Sequence, residues 1–269
     1  MALANIKTAL ITGASSGIGR EMALWWAKRG VKVHAAARRQ ELLAQLAKDG
    51  GGNIEPFALD VANEAETVKR IQALDDACGG LDLVIANAGV GSPTPGDLAD
   101  WAMVEHVLKV NVMGAAATLT AVGPRMAKRG HGHLAAVSSL AGHLGFAANS
   151  AYSGSKAFVT RFLECLQADF AGTGVKVTII EPGFVKSEMT AKLKSTPFIA
   201  DTSVAADRFC RGIARGARRV RYPTIHAVAI GAALWLPAPV FQPINRKVME
   251  PQRRAFLKAL ARGRDSDGR

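Results

Sequence analysis

The stretch Thr12-Gly13-Ala14-Ser15-Ser16-Gly17-Ile18-Gly19 constrains the fold more than any other part of the chain. It follows Lys7-Thr8-Ala9-Leu10-Ile11-Thr12, a short apolar and β-prone run that reads as a buried strand. It leads into a helical pattern from about Ile18 to Lys28. Glycines in that position let the backbone turn tightly and approach a ligand closely. The N–H groups and positive dipole end of the following helix suit a phosphate. The spacing is G-x-x-x-G-x-G rather than the commoner G-x-G-x-x-G. Strand, glycine turn and helix near the start of the chain predict a dinucleotide site at Gly13, Ser15, Ser16, Gly17, Ile18 and Gly19.

The pattern repeats along the chain. Val31 to Ala36 reads as a second strand, ending in Ala36-Ala37-Arg38-Arg39. Sites that prefer NAD place an acid there for the ribose 2′-hydroxyl. Here two guanidiniums stand instead, which suit a 2′-phosphate, with Ser15 adding a hydroxyl. The plainer alternative is that Arg38 and Arg39 begin a solvated helix through Lys48. Ile54 to Leu59 is a third strand closing in Asp60-Val61, where the carboxylate could accept from an adenine amino group or cap the helix starting near Glu64. Leu81 to Ala86 is a fourth, followed by the small residues Asn87-Ala88-Gly89. A long helix is expected from about Leu98 to Lys128, with Asn111 in an apolar stretch that calls for a bound water or a bend. Gly130 to Gly132 ends it, and Leu134 to Ser138 makes a fifth strand. A helix capped by Asn149 or Ser150 runs to about Ala171, and Val175 to Ile180 is a sixth strand. Alternating strands and helices imply an α/β fold, a parallel sheet with helices on both faces, binding ligands at the strands' carboxyl ends.

Tyr152 and Lys156 stand four apart, on one face of that helix and one turn from each other. A phenol near pKa ~10 is a poor acid or base at neutral pH, and a nearby ammonium favours its phenolate. The pair predicts a general acid/base, with Ser139 at a strand end placed to hydrogen-bond the same substrate oxygen.

A chain of 269 residues, 49% hydrophobic, holds a full core and fits one such domain. Cys78, Cys165 and Cys210 form no C-x-x-C and read as reduced thiols, and no metal site is expected. The run from Met1 into a strand by Lys7 leaves no room for a signal peptide, so a cytoplasmic location is expected.

In these motifs, taken in order, the chain resembles the classical short-chain dehydrogenase/reductase family over about residues 5–190. The resemblance rests on Thr12 to Gly19, Asp60-Val61, Asn87-Ala88-Gly89, Asn111, Ser139, Tyr152-Ser153-Gly154-Ser155-Lys156 and Pro182-Gly183. It implies a Rossmann fold, a doubly wound sheet of seven parallel strands, with Tyr152 as acid/base and Ser139 orienting the carbonyl. Lys156 would hold the nicotinamide ribose and lower the Tyr152 pKa, and Asn111 would hold a water in the proton relay. Asp60, Val61, Asn87, Ala88, Gly89, Pro182, Gly183, Val185 and Ser187 join the cofactor contacts. Ala86 stands where the family often has Asn, and Ser187 where it usually has Thr. The resemblance also implies a homodimer, paired through the helices near 98–128 and 150–171.

The C-terminal part departs from the family. Residues 208–269 hold 14 Lys+Arg and 3 Asp+Glu, a net +11, against +1 for residues 1–207. Ser203 to Arg219 reads as a basic helix, and Tyr222 to Asn245 carries no charge. Pro237, Pro239 and Pro243 argue against a bilayer-spanning helix in that uncharged stretch. We therefore expect a catalytic domain over 1–221 and a helical extension over 222–269. The extension either packs over the substrate cleft or the oligomer face, or lies on an anionic membrane at the inner surface. Nucleic acid is not expected, for want of a reader motif. The cleft is expected to be lined by Val90, Ser139, Leu140, His143, Phe146, Tyr152, Phe184 and Met189, mostly apolar, so the substrate should be a lipophilic ketone, aldehyde or secondary alcohol. Two functions fit: an NADP(H)-dependent oxidoreductase, or a non-catalytic NADP(H)-binding regulatory protein of the same fold.

Overall fold

The computed structural model describes residues 6–91, 93–191 and 198–266, without the side chains of Gln252 and of 259–266. The last three residues of the basic extension, 267–269, lie outside the described residues. Seven strands form one sheet in the order β3-β2-β1-β4-β5-β6-β7, every neighbouring pair parallel. They are β1 (Thr8–Thr12), β2 (Lys32–Ala37), β3 (Ile54–Ala58), β4 (Leu83–Ala86), β5 (Gly132–Val137), β6 (Val175–Pro182) and β7 (Arg219–Tyr222). The helices between them are α1 (Gly17–Ala27), α2 (Gln40–Asp49), α3 (Glu64–Ala77), α4 (Trp101–Leu108), α5 (Gly114–Thr120), α6 (Gly123–Arg129), α7 (Ser150–Asp169) and α8 (Thr202–Ala214). The doubly wound Rossmann fold expected from the sequence is the one observed.

The strand period explains the layering. Ala9 and Ile11 of β1 face Met22, Trp26, Leu43, Leu46 and Phe209 of α1, α2 and α8. Leu10 faces the other way, among Ile71, Leu119, Met126, Val159 and Leu163 of α3, α5, α6 and α7. A strand covered on both faces must be apolar at every position, which is why β1 and β4 read as continuous runs. At the outer edge, β3 carries Pro56, a residue with no N–H to give a further strand.

Two sequence expectations need correction. The long helix near 98–128 is not continuous: α4 passes into a π-helical turn, Lys109–Met113, then α5, and the run breaks before α6. Pro124 at the start of α6 cannot donate to the preceding turn. The stretch Trp101–Arg129 is apolar enough to span a bilayer by length and composition, but its apolar window is 61% buried inside the fold. The basic helix expected over 203–219 ends at Ala214, with Gly216 in the left-handed region at φ +70°. Arg219, Val220, Arg221 and Tyr222 then alternate with period two and form β7. Arg219 pairs with Glu164, and Arg221 with Glu181 at 2.6 Å, so part of the tail's charge is neutralised inside the domain.

The extension folds as α9 (Thr224–Ala233) and α10 (Ala238–Ser266). Its inner face packs on the loops at the carboxyl ends of β5 and β6. His226 meets the Phe184 ring edge-on at 5.3 Å. Asn245, 4% exposed, donates to Gly145 O at 2.8 Å and accepts from Ala147 N at 3.2 Å.

One buried side chain makes the fold sensitive to acid. His133 of β5 meets the Thr178 hydroxyl at 2.8 Å in the sheet interior. Burial, with a smaller push from Lys176, pulls its pKa from 6.5 down to about 4. The unfolded chain binds this proton below pH 6.5 and the folded chain only near pH 4, so stability falls as pH drops through that window. We expect urea unfolding to show about 2–3 kcal/mol of this loss between neutral pH and pH 4.5, and His133→Gln to remove it.

Candidate active site

The carboxyl ends of β1 and β4 are locked together. The Thr12 hydroxyl accepts from Asn87 N at 3.0 Å and Ala88 N at 3.1 Å. Asn87 Nδ2 returns two bonds, to Thr12 O at 2.9 Å and Gly13 O at 3.2 Å. This junction is the switch point, with β2 on one side of β1 and β4 on the other. The glycines around it are sterically obligatory. A Cβ on Gly19 would stand 2.3 Å from Asn87 Nδ2 and 2.5 Å from Gly13 O. Gly13 sits at φ +67°, and its Cβ would fall 2.7 Å from Ala88 Cα. Gly17, at φ +57°, faces Ser187 across the turn. A cradle that any side chain would fill fits a dinucleotide's phosphates.

Arg39 arches over this turn. Its guanidinium donates to Ser15 Oγ at 3.0 Å, to Ser16 Oγ at 2.6 Å and to Glu188 at 3.0 Å. Arg38 turns elsewhere, to within 4.0 Å of Asp60, both groups well exposed. Asp60 accepts from Ala62 N at 3.1 Å, while the cap of α3 is Asn63, bonded from Glu66 N. The capping alternative for Asp60 therefore does not hold.

Asn111 lies in the π-helical turn, 1% exposed. The extra residue in that turn aims its amide at the chain after β4. Its Oδ1 accepts from Val90 N at 2.8 Å, and its Nδ2 donates to Val90 O at 2.9 Å and to Ser155 Oγ at 3.0 Å. Ser155 in turn donates to Tyr152 O at 2.7 Å, tying Asn111 to α7. Asn149 is the N-cap residue of α7, one of the two expected, though its side chain makes no cap bond, and Ser150 donates to Thr94 O.

Tyr152 and Lys156 share a face of α7, the ammonium 5.8 Å from the ring centroid. Lys156 is buried and donates to Val137 O at 2.8 Å. Burial lowers its pKa from 10.5 to about 8. Burial also pushes the Tyr152 phenol above its ordinary value of 10, with a Ser139 hydrogen bond pulling the other way. The expected lowering of Tyr152 by Lys156 is thus reversed. Confining a phenolate away from water costs more than the Ser139 hydrogen bond gives back. Ser139 Oγ accepts from Ala141 N at 3.1 Å and donates to Pro182 O at 3.3 Å, linking the ends of β5 and β6.

The remaining wall residues divide. Met189 crosses to Gly91, so the loops after β4 and β6 face each other. Phe184 is held by His226, and a Cβ on Gly183 would strike the same ring at 2.4 Å. Leu140 is buried at 3% exposure, and Phe146 half-buried. His143 Nε2 bonds Glu181 Oε1 at 2.9 Å, and Arg221 bonds the other oxygen. Burial alone would raise the Glu181 carboxyl, but the bonds from His143 and Arg221 hold it below its ordinary value. Val185 is buried and pairs with Ala200, and Ser187 exchanges bonds with Thr190.

The short chain dehydrogenase family profile matches residues 7–197. The chain belongs to the short-chain dehydrogenase family. An uncharacterized oxidoreductase of Myxococcus xanthus is 49% identical over 252 residues, covering 92% of this chain and 100% of that protein. The NADP-dependent 3-hydroxy acid dehydrogenase of Escherichia coli is 36% identical over 180 residues, covering 65% of this chain and 71% of that protein. The crystal structure of a short-chain dehydrogenase from Streptomyces avermitilis aligns with TM-score 0.78 at 25% identity, over 93% of this chain and 98% of that one. This short-chain dehydrogenase is therefore an oxidoreductase.

The sequence placed Thr12 in the glycine motif without a role for its hydroxyl, and it gave no role to Glu181, Glu188 or Asn245. A hydroxyl at a strand end beside Gly13 and an amide closing the uncharged Tyr222–Asn245 stretch were the available signals for Thr12 and Asn245. Glu181 and Glu188 had none, since their partners lie 30 or more residues away in sequence. Thr12→Val keeps the shape of the junction but strands the two half-buried N–H groups of Asn87 and Ala88. We expect a loss of about 2 kcal/mol or more in urea unfolding, against little for Thr12→Ser.

Proposed function

We propose that the protein is an NADPH-dependent carbonyl reductase, and in reverse an alcohol dehydrogenase, for a lipophilic ketone, aldehyde or secondary alcohol. The observation that carries this is the gathering of Ser139, Tyr152, Lys156 and Asn111 beside the glycine cradle, at the carboxyl ends of β4 and β5. Bound NADPH would supply the hydride to the carbonyl carbon. Tyr152 protonates the carbonyl oxygen, and Ser139 donates a hydrogen bond to the same oxygen. Tyr152 is protonated at neutral pH, the form a proton donor must take, and its raised pKa makes it a weaker acid than a free phenol until substrate and cofactor change its surroundings. Lys156 supplies a buried cation next to the phenol, poised to hold the nicotinamide ribose. Asn111 fixes the chain after β4 and, through Ser155, the turn of α7 that carries Tyr152.

Gly13, Ser15, Ser16, Gly17, Ile18, Gly19, Asn87, Ala88 and Gly89 are proposed to line the dinucleotide, with Asp60 and Val61 toward its adenine. Pro182, Gly183, Val185 and Ser187 are proposed to lie along the nicotinamide. Preference for NADP(H) is supported by the missing acid after β2, by Arg39 held over Ser15 and Ser16, and by the NADP-dependent Escherichia coli relative. Arg38 is the second cation within reach. The apolar walls Val90, Phe146, Phe184 and Met189 support a lipophilic substrate, with His143 engaged by Glu181. Exposed Trp101, Met113 and Phe158 on α4, the π turn and α7 support a homodimer through those helices.

Two measurements test this reading. Turnover of NADPH with a panel of lipophilic ketones and aldehydes should fall at least ~10²-fold in Tyr152→Phe. Undiminished turnover would overturn the acid/base role. Arg39→Ala should weaken NADPH binding roughly 10- to 150-fold and leave NADH binding nearly unchanged, read by nucleotide fluorescence titration. Equal loss for both nucleotides would remove the preference.

A further inference from the structure

The outer face of the extension is apolar and uncovered. Apart from Thr224 and His226, α9 is apolar, yet none of its residues is buried. A helix apolar on all sides belongs in a core or in lipid, and only one side of α9 meets the domain. Its outer side shows Ile225 and Val228, the latter 67% exposed. The turn between the helices shows Leu234, Leu236 and Trp235, whose indole is 89% exposed. On α10 the exposed stripe is Val240, Ile244 and Val248, one residue every turn, adjacent to the inward stripe of Asn245 and Met249.

The charge around this surface has one sign. No acid occurs between Tyr222 and Met249, and Arg246 and Lys247 stand exposed beside the apolar stripe. Lys247, Arg254 and Lys258 follow one another along the same side of α10, with Glu250 as the one acid among them, engaged by Arg254. The other basic residues nearby are already used: Arg219 and Arg221 on Glu164 and Glu181, Arg253 on Asp97. The exposed cations that border the apolar crest are Arg246 and Lys247.

We propose that the outer face of α9, the Leu234–Pro237 turn and the first turns of α10 dock on the surface of an anionic lipid bilayer. Trp235 sits at headgroup depth with the aliphatic side chains, and Arg246 and Lys247 meet lipid phosphates and carboxylates. A second copy of the chain is the poorer occupant, because a two-fold pairing centred on this face would bring its basic residues close to their own copies, with Glu250, already engaged by Arg254, as the one acid among them. The inner side of the same helices carries His226 and Asn245 onto the cleft loops, so docking would set the cleft mouth next to the bilayer. Docking does not require that Tyr152 be catalytic.

The test is co-sedimentation of the full chain with phosphatidylcholine vesicles, with and without phosphatidylserine. The chain should pellet with the anionic vesicles at low salt, stay free of the neutral ones, and be released by high salt. Arg246→Ala with Lys247→Ala should weaken partitioning roughly 30-fold. Trp235→Asp should weaken it at least tenfold, with circular dichroism and NADPH binding unchanged. A full chain that stays in the supernatant with anionic vesicles at low salt overturns the proposal. So does equal binding to both vesicles, or variants that pellet like the parent. A dimer seen by light scattering that Trp235→Asp dissociates, with no vesicle binding, assigns the face to a second copy instead.

Discussion

The site depends on the exchange of hydrogen bonds between Thr12 and Asn87. Two parallel strands leave the sheet side by side there, and their chains must part in opposite directions. Four short bonds hold them together at the last possible residue. Everything that crowds the glycine turn follows from it: Gly19 under Asn87, Gly13 against Ala88, and the start of α1 aimed across the gap. A buried backbone donor without a partner is costly, so neither strand end can drift without exposing or orphaning its groups. The cradle is rigid because the sheet behind it is.

The chemistry of the cleft is set by burial more than by charge pairing. Lys156 and Tyr152 are each moved toward their neutral forms, the lysine down to about 8 and the phenol upward. A neutral phenol is a donor, and a lysine this close to neutrality responds strongly to any anion placed near it. The arrangement is thus responsive to what occupies the cleft. Glu181 shows the opposite solution, a fully buried carboxylate kept ionised because His143 and Arg221 each give it a hydrogen bond. One substrate wall and the last strand of the sheet share that carboxylate.

Local pattern carried much of this into the sequence. The first six strands, the glycine turn and the face shared by Tyr152 and Lys156 were legible, because period, turn chemistry and apolar runs are properties of neighbours along the chain. Three features were not. The π turn at Asn111 looks like ordinary helix, since one added backbone residue leaves no mark on composition. The strand Arg219–Tyr222 was hidden by its arginines, which look solvated until Glu164 and Glu181 supply their partners from far away. The direction of the Tyr152 shift depends on how deeply α7 is seated, which spacing cannot report.

The two outer strands also shape how this molecule can meet another. A bare sheet edge is a template for any passing strand. Pro56 withholds a donor on one side, and Arg219 and Arg221 bring bulk and charge to the other. Lateral growth of the sheet from one molecule into the next is discouraged at both ends. Self-association and docking are left to helical surfaces, where contacts can be made and released without unravelling the sheet that holds the cradle.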